Sequence, residues 1–224
     1  MAEKSDEAKS KPERIGKSDN LQNLQVPWFV DVPITRFPIE IKSSMRKIIL
    51  ACGISLDGYI ARPDGAVDFL FMPKDFSMAP FFKTIDVMVM GRKTYDVAMK
   101  MGGLMIGPKM AGYVFSRSLP PGERDGVVYT SESPAALVRK LRRLQGRHIW
   151  HMGGGELASD FLRADLVDEL HLGVVPVLLG EGIPLFPGGF PQRDFALLTN
   201  KTFSKGLIEL KYRRVRKPAG KKKR

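Results

Sequence analysis

The stretch IWHMGGGELASDFL, residues 149–162, connects an apolar run of strand type to a helix-like run through three consecutive glycines. Helix starts usually have Ser, Thr, Asp or Asn as the capping residue, and glycine loses more backbone entropy on folding than any other residue. Residues 153–155 therefore indicate either a loose loop or a position where bare backbone must approach another group closely.

Strand-like and helix-like segments alternate outward from this stretch. Continuous apolar runs favour buried strands, and they occur at residues 47–55, 86–91, 112–116, 126–130, 148–152 and 167–180. A helix is predicted at 156–164, and residues 195–215 are typical of two strands joined at Lys205-Gly206. This alternation predicts an α/β fold, a three-layer sandwich whose twisted central sheet is mostly parallel, with an antiparallel hairpin at its C-terminal edge.

A further helix is predicted at residues 133–146, SPAALVRKLRRLQG. Ser133 is a suitable cap, Pro134 suits the first helical position and Gly146 suits the end. Leu137, Leu141 and Leu144 recur at helical spacing, which predicts that they share the buried face. The basic residues between them are expected on a solvated face.

Composition divides the 224 residues into four segments. Residues 1–25 form a polar tail that is expected to be disordered. Residues 26–44 contain three aromatic residues and three prolines, which favour an extended arm packed on the domain or on a partner subunit. Residues 45–216 are long enough for one domain with its own core, and residues 217–224 form a basic tail.

The formal net charge of +12 favours anionic partners, either nucleic acid or a phosphorylated small molecule. Residues 1–44 are neutral on balance and the last eight residues carry five positive charges, which leaves about seven for residues 45–216. The single cysteine, Cys52, excludes an internal disulfide and suits a reducing, cytoplasmic setting. The sequence has neither a membrane-spanning apolar run nor a secretory signal pattern.

Three short stretches have the chemistry of an anion site. In MGRKTYD (90–96) a strand ends at a glycine and a helix with two cations begins, and in GGGEL (153–157) backbone N–H groups can approach a ligand. In FSRS (115–118) two hydroxyls and a guanidinium suit a phosphate monoester. Each has a structural alternative, since glycines often serve turns and serines often cap backbone groups.

In this order, the motifs ACGISLDGYIA, VMGRKTYD, VFSRSLP, HMGGGELASDFL and LHLGVVPVLLGEGIPLF resemble the dihydrofolate reductase superfamily over residues 46–215. Within that superfamily, the pattern Pro-Val-Leu-Leu-Gly-x-Gly-x-Pro-Leu-Phe at 176–186 is similar to the reductase domain of bacterial riboflavin biosynthesis and its stand-alone relatives. The resemblance implies a dihydrofolate reductase-like fold and NADPH as cofactor.

The resemblance also implies roles for individual residues. Ala51 and Cys52 would offer backbone groups to the nicotinamide carboxamide, and Ile60 would lie near its ring. Residues 91–94 would hold the phosphates at the helix start, and residues 153–155 would let the backbone pass against the cofactor. Ser116 and Arg117 would contact the 2′-phosphate of the adenosine ribose. The implied cofactor residues are Ala51, Cys52, Ile60, Gly91, Arg92, Lys93, Thr94, Ser116, Arg117, Gly153, Gly154, Gly155, Glu156 and Leu157.

The substrate side is less well defined by the resemblance. Asp75 lies at a separation from Gly91 that is compatible with the catalytic carboxylate of dihydrofolate reductases, with a plain surface carboxylate as the alternative. Asp57 would contribute to the substrate side by shaping the loop over the nicotinamide. Gly173 replaces the threonine that cooperates with the carboxylate, which disfavours dihydrofolate as substrate. The three histidines are expected in the sheet, and no metal-ligand spacing is present.

The sequence thus predicts an NADPH-dependent reductase of a heterocyclic small molecule. A 5-amino-6-(5-phosphoribosylamino)uracil reductase of the riboflavin type is the first reading, and a dihydrofolate or pterin reductase is the second. A non-catalytic NADP-binding protein is the alternative from another class, and nucleic-acid binding is disfavoured because no recognition fold is visible. The resemblance further implies a homodimer, and the lack of a long apolar run predicts no membrane association.

Overall fold

A computed structural model describes residues 45–104 and 110–216. The strands are β1 (Ile48–Ile54), β2 (Tyr59–Ala61), β3 (Ile85–Gly91), β4 (Ala111–Phe115), β5 (Gly122–Arg124), β6 (Val127–Thr130), β7 (His148–His151), β8 (Glu169–Val174), β9 (Ile183–Pro184), β10 (Phe195–Thr202) and β11 (Ile208–Arg214). The helices are α1 (Ala79–Phe82), α2 (Arg92–Lys100), α3 (Pro134–Arg143) and α4 (Gly155–Arg163). The predicted tail at 1–25, the arm at 26–44 and the basic tail at 217–224 lie outside the described residues.

Nine strands form one sheet in the order β10-β11-β8-β1-β7-β3-β4-β6-β5. The strands from β8 to β6 run parallel to their neighbours, while β11 and β10 form an antiparallel hairpin at one edge and β5 is antiparallel at the other. The predicted mostly parallel sheet with a C-terminal edge hairpin is confirmed. The sequence did not predict β5 or the small β2–β9 sheet, because strands of two or three residues are too short to show a period.

Helices cover both faces of the sheet, which makes three layers. On one face, α3 and α4 pack Leu141 and Phe161 against Ile48 and Leu50. On the other face, residues of α1 and α2 pack against alternate strand residues such as Trp150. A parallel sheet covered on both faces needs apolar residues at every position, which explains the continuous apolar runs. No helix in the described ranges is long and apolar enough to cross a bilayer.

Helix α3 confirms the predicted cap and corrects the predicted end. The Ser133 hydroxyl oxygen accepts a hydrogen bond from the Ala136 backbone N–H at 3.3 Å. The helix ends at Arg143, however, and Leu144 has an extended backbone and is 59% exposed. The prediction that Leu144 lies on the buried face is wrong, because the chain leaves the helix before that position completes the stripe. Leu137 and Leu141 are buried as predicted.

Candidate functional site

The three predicted anion motifs meet at one edge of the sheet. β7, β3 and β4 are adjacent parallel strands, so their carboxyl ends lie side by side. Helix α2 begins directly after β3, and three residues separate the end of β7 from the start of α4. The segment containing Ser116 and Arg117 directly follows β4. In open α/β sheets this edge is where ligands bind.

The starts of α2 and α4 lack side-chain caps. The cap positions are Gly91 and Gly154, and neither supplies a side-chain hydrogen bond, in contrast to Ser133 at α3. The two helix starts also lie next to each other, since a Cβ placed on Gly154 would be 2.9 Å from the Thr94 hydroxyl oxygen. Two uncapped helix N-termini in contact present free N–H groups and positive dipole ends to one place, which suits an anion.

The three glycines have different roles. Gly153 and Gly154 have φ values of +59° and +87°, a backbone region that glycine adopts without strain. Gly155 is buried, and a Cβ at this position would overlap the carbonyl oxygen of Pro184. Bare backbone at Gly155 therefore serves packing against the β9 segment, while Gly153 and Gly154 shape the turn that faces the open edge.

Strand β1 opens beside this turn. It pairs with β7 only as far as Leu50, whose partner is His151, but continues along β8 to Ile54. The predicted cofactor residues Ala51 and Cys52 lie in this stretch, where β1 pairs with β8 but no longer with β7. The Ala51 carbonyl accepts a hydrogen bond from the Trp150 indole N–H at 2.9 Å, so one of its lone pairs is already used.

Cys52 lies under the glycine turn, because a Cβ on Gly153 would be 3.7 Å from the Cys52 Cβ. Burial raises the pKa of the Cys52 thiol to about 12, so the side chain stays protonated and behaves as a small apolar group. Ile60, on β2, packs against the same core cluster. The side chains of Cys52 and Ile60 are therefore apolar packing groups, and neither supplies a charge to the site.

Two exposed cations and one carboxylate meet above the helix starts. Lys93 Nζ lies 3.3 Å from Glu156 Oε1, and Arg117 Nη2 lies 3.4 Å from Glu156 Oε2. Arg92 points to a different partner, because its Nε donates to Asp96 at 2.6 Å within α2. The predicted cations are thus brought to the same edge, but Lys93 and Arg117 form one group and Arg92 is held apart from them.

Ser116 and Leu157 contribute mainly to the framework. The Ser116 side chain is buried, and its oxygen accepts hydrogen bonds from the Leu119 backbone N–H at 3.0 Å and the Ser118 N–H at 3.3 Å. Its oxygen also lies 3.5 Å from the Ser118 hydroxyl oxygen, and either hydroxyl can be the donor in this contact. Leu157 is 9% exposed and belongs to the core, so its side chain anchors α4 and only its backbone can face a ligand.

Asp57 links two of the sequence motifs. Its carboxylate accepts hydrogen bonds from the Ser55 hydroxyl at 2.5 Å and from the backbone N–H groups of Leu179 and Gly180 at 3.0 and 2.8 Å. These bonds, with that of Ser55 first, lower the pKa of Asp57. The loop after β1 is further tied to β9 by the Leu185 N–H, which donates to the Gly58 carbonyl. Asp57 therefore ties the loop after β1 to residues 179–180, while its place over a nicotinamide or in a substrate site stays a prediction.

Asp75 is engaged at the C-terminal hairpin. Its two carboxylate oxygens accept hydrogen bonds from the Ser204 hydroxyl at 2.7 Å and the Ser204 backbone N–H at 2.9 Å. These bonds lower the pKa of Asp75, so the carboxyl is ionised at neutral pH. The geometry gives this residue a structural contact in the turn at 204–206, and its catalytic role stays a prediction.

The contacts of Glu156 and Gly155 could not be found from the sequence. Glu156 was assigned to the helix start, but its position between Lys93 and Arg117 depends on how three strands are ordered. The contact of Gly155 with Pro184 joins segments that no local pattern connects. Among the described residues, no group of three or more His, Cys, Asp and Glu side chains could hold a metal ion.

The sheet order and the paired helix starts define a dihydrofolate reductase-like α/β protein, and comparisons narrow this class. The chain belongs to the RibD C-terminal domain family, which matches residues 46–208. Two proteins of Bacillus subtilis strain 168, the uncharacterised YwjB and YyaP, are 34% and 32% identical over 173 and 181 residues. These alignments cover 76% and 75% of this chain and 99% and 94% of the relatives.

Solved structures agree with this fold. A protein from Shewanella sp. PV-4, described as a proposed riboflavin biosynthesis protein, superposes with a TM-score of 0.66 and 26% identity over 76% of this chain and 99% of its own. The deaminase/5-amino-6-(5-phosphoribosylamino)uracil reductase of Thermotoga maritima gives 0.59 and 16%, over 76% and 57%. The dihydrofolate reductase of Enterococcus faecalis, complexed with NADP(H), gives 0.54 and 20%, over 75% and 96%.

Proposed function

We propose that this protein is an NADPH-dependent reductase of a heterocyclic small molecule. The observation that supports this most directly is the contact between the two uncapped helix starts, where Gly154 approaches Thr94. A pyrophosphate placed there meets backbone N–H groups of α2 and α4 without a competing cap. Lys93 and Arg117 lie at the same edge and suit a further phosphate.

The remaining residues fit the two ends of such a dinucleotide. The Ser116 O–H, which lies within hydrogen-bond distance of the Ser118 hydroxyl, can donate instead to a 2′-phosphate beside Arg117. The stretch of β1 after Leu50, which has no β7 partner, leaves backbone groups of Ala51 and Cys52 beside the glycine turn for a carboxamide. The Asp57 contacts hold the loop that follows this stretch.

When bound, the dinucleotide supplies the hydride, and the residues of this chain bind and orient the reactants. Asp75 is ionised at neutral pH because its lowered pKa favours the carboxylate, so it does not store a proton for the substrate. The Cys52 thiol stays protonated. Positioning is therefore the main contribution that the described side chains make.

We propose a ribosylaminopyrimidine as the first substrate class and a pterin as the second. The RibD C-terminal domain family membership and the Thermotoga maritima reductase favour the first, and Gly173 in place of a hydroxyl residue disfavours dihydrofolate. A panel assay that follows NADPH absorbance with 5-amino-6-(5-phosphoribosylamino)uracil, its dephosphorylated form and pterins tests this choice. Tight NADPH binding with no turnover on any of these compounds would favour the non-catalytic NADP-binding alternative.

The cofactor proposal is tested by Arg117→Glu. Because the 2′-phosphate is the only difference between NADPH and NADH, reversing this charge is expected to weaken NADPH about tenfold or more and NADH much less. Fluorescence titration with both cofactors measures this. Arg139→Glu, which makes the same charge change on the exposed side of α3, is the control. Equal losses for NADPH and NADH would contradict the assignment of Arg117.

A further inference from the structure

Glu156 occupies the space between two cations that the proposed function assigns to a phosphate. It is the second residue of α4, and its two carboxylate oxygens face Lys93 on one side and Arg117 on the other. The three side chains come from elements that follow three adjacent strands. Lys93 and Arg117 are 90% and 95% exposed, so few protein contacts hold them, and Glu156 is 71% exposed.

The chemistry of this group is mixed. Two cations with no carboxylate between them would favour a phosphate, whereas a carboxylate can accept hydrogen bonds from ribose hydroxyls, as an acidic residue does in Rossmann-type NAD sites. Here the carboxylate and the guanidinium coexist. A phosphate dianion that reaches Lys93 and Arg117 must displace Glu156 or remain beside its negative charge, while an uncharged 2′-hydroxyl need do neither.

We propose, on the basis of the proposed function, that Glu156 sets the selectivity between the 2′-phosphorylated and the unphosphorylated dinucleotide. It competes with the 2′-phosphate for Lys93 and Arg117 and accepts a hydrogen bond from the 2′-hydroxyl when the phosphate is absent. The affinity for NADPH is therefore lower than it would be with Lys93 and Arg117 alone, and NADH can also bind as a cofactor.

The test is Glu156→Gln, which keeps the shape of the side chain and removes its charge. Dissociation constants for NADPH and NADH are measured on the full chain by fluorescence titration, and the readout is the ratio of the two constants. This ratio isolates the 2′-phosphate, because any effect on the pyrophosphate is common to both cofactors. Preference for NADPH is expected to rise about threefold to tenfold at low salt and to shrink near 1 M salt, where the Debye length is about 3 Å.

Asp160→Asn is the matched control. Asp160 lies one turn further along α4 and its carboxylate contacts Arg163 at 2.6 Å, so the variant changes the net charge of the same helix without touching Lys93 or Arg117. Adenosine 2′,5′-bisphosphate and adenosine 5′-monophosphate, used as competing probes, are expected to show the same difference as the two full cofactors. This result would locate the effect at the 2′ position.

Two results would overturn the inference while leaving the proposed function intact. One is an unchanged ratio in Glu156→Gln, and the other is an equal rise in Asp160→Asn. Failure of the proposed function is visible separately, because wild-type protein that binds neither NADPH nor NADH would remove both the cofactor assignment and the role of Glu156.

Discussion

At the residue scale, His151 shows how a polar side chain is held inside the core. It is fully buried beside Phe161, with the two ring centroids 4.6 Å apart, and neither ring nitrogen has a hydrogen-bond partner among the residues that the structure describes. Burial lowers the pKa of His151 to about 4. The expectation that the histidines lie in the sheet is met for His148, His151 and His171, which are all strand residues.

We predict that His151 makes the fold sensitive to mild acid. The unfolded chain protonates this residue near pH 6.5, whereas the folded protein does so only near pH 4. The His151 contribution to the free energy of unfolding is therefore fully present above about pH 6.5. It falls by on the order of 3 kcal/mol as the pH decreases from 6.5 to 4. Urea unfolding at pH 7.5 and pH 5 measures the loss. His151→Leu should reduce it markedly, and a variant that loses as much stability as wild type would contradict this origin.

Glu169 affects stability in a more acidic pH range than His151 does. Its carboxylate contacts Lys47 at 2.7 Å and His171 at 3.1 Å, and the hydrogen bond with His171 is the largest cause that lowers its pKa to about 2. Because this folded-state pKa lies below the usual carboxyl value, the Glu169 contribution is lost only as the pH falls below about 4.5. Loss of stability between pH 6.5 and 5 thus reports on His151, together with His148, whose pKa burial also lowers, rather than on the Glu169 carboxylate.

At the element scale, the starts of α2 and α4 form the candidate site, and the glycine turn leads from β7 into α4 beside the start of α2. Helix α4 depends on Gly155 for its fit to the β9 segment, and on Gly154 for the turn that precedes it. The sequence indicated that bare backbone was needed here. The sequence could not show that Gly155 is needed to avoid a clash with the Pro184 carbonyl, whereas Gly153 and Gly154 form the turn at the carboxyl ends of the strands.

We predict that substitutions in this turn divide into two types. Gly155→Ala should destabilise the fold by about 1–3 kcal/mol, because the added methyl group overlaps the Pro184 carbonyl. Gly154→Val should abolish NADPH binding while the sheet still folds, because a β-branched residue strongly disfavours a φ of +87° and the turn must rearrange beside Thr94. Thermal unfolding and NADPH titration of both variants test this. Normal NADPH binding by Gly154→Val would identify the turn as a plain loop.

At the scale of the whole molecule, β10 is the last strand at one side of the sheet, and no further strand of the described residues pairs with it. β10 spans eight residues, and seven of them are exposed. Leu197 and Leu198 are 50% and 41% exposed, and Lys201 is the only charged residue of the strand. Long edge strands with few charges readily pair with a second strand. A second copy of this chain fits this edge, since two antiparallel β10 strands related by a two-fold axis are self-complementary.

We therefore propose a homodimer through β10 and predict that Leu197→Lys shifts the protein towards the monomer. Light scattering coupled to gel filtration measures the mass. Leu144→Lys is a matched control, because Leu144 is similarly exposed at 59% but lies at the end of α3, away from the β10 edge. A mass that is unchanged in Leu197→Lys, or a wild-type protein that is monomeric, would exclude this interface. Deleting residues 26–44 tests in the same assay whether the arm contributes.

Local sequence by itself determined the strands and helices of the main sheet and the chemistry available at each of their ends. Apolar runs, a serine cap and a glycine turn act over a few residues, and their physical consequences are the same wherever the strands are placed. This is why the three-layer fold and the anion-type motifs could be predicted, while strands of two or three residues and the true end of α3 could not.

Tertiary structure alone decided which of these groups meet and which are left free. Glu156 reaches Lys93 and Arg117 across 63 and 39 residues of chain, and Asp75 meets Ser204 across 129. Such contacts follow from the order of strands in the sheet, which is set by the packing of the whole core and not by any local pattern. The residue types were therefore evident in the sequence, but the contacts of Glu156 with Lys93 and Arg117 and the structural use of Asp75 and Gly155 exist only in the folded chain.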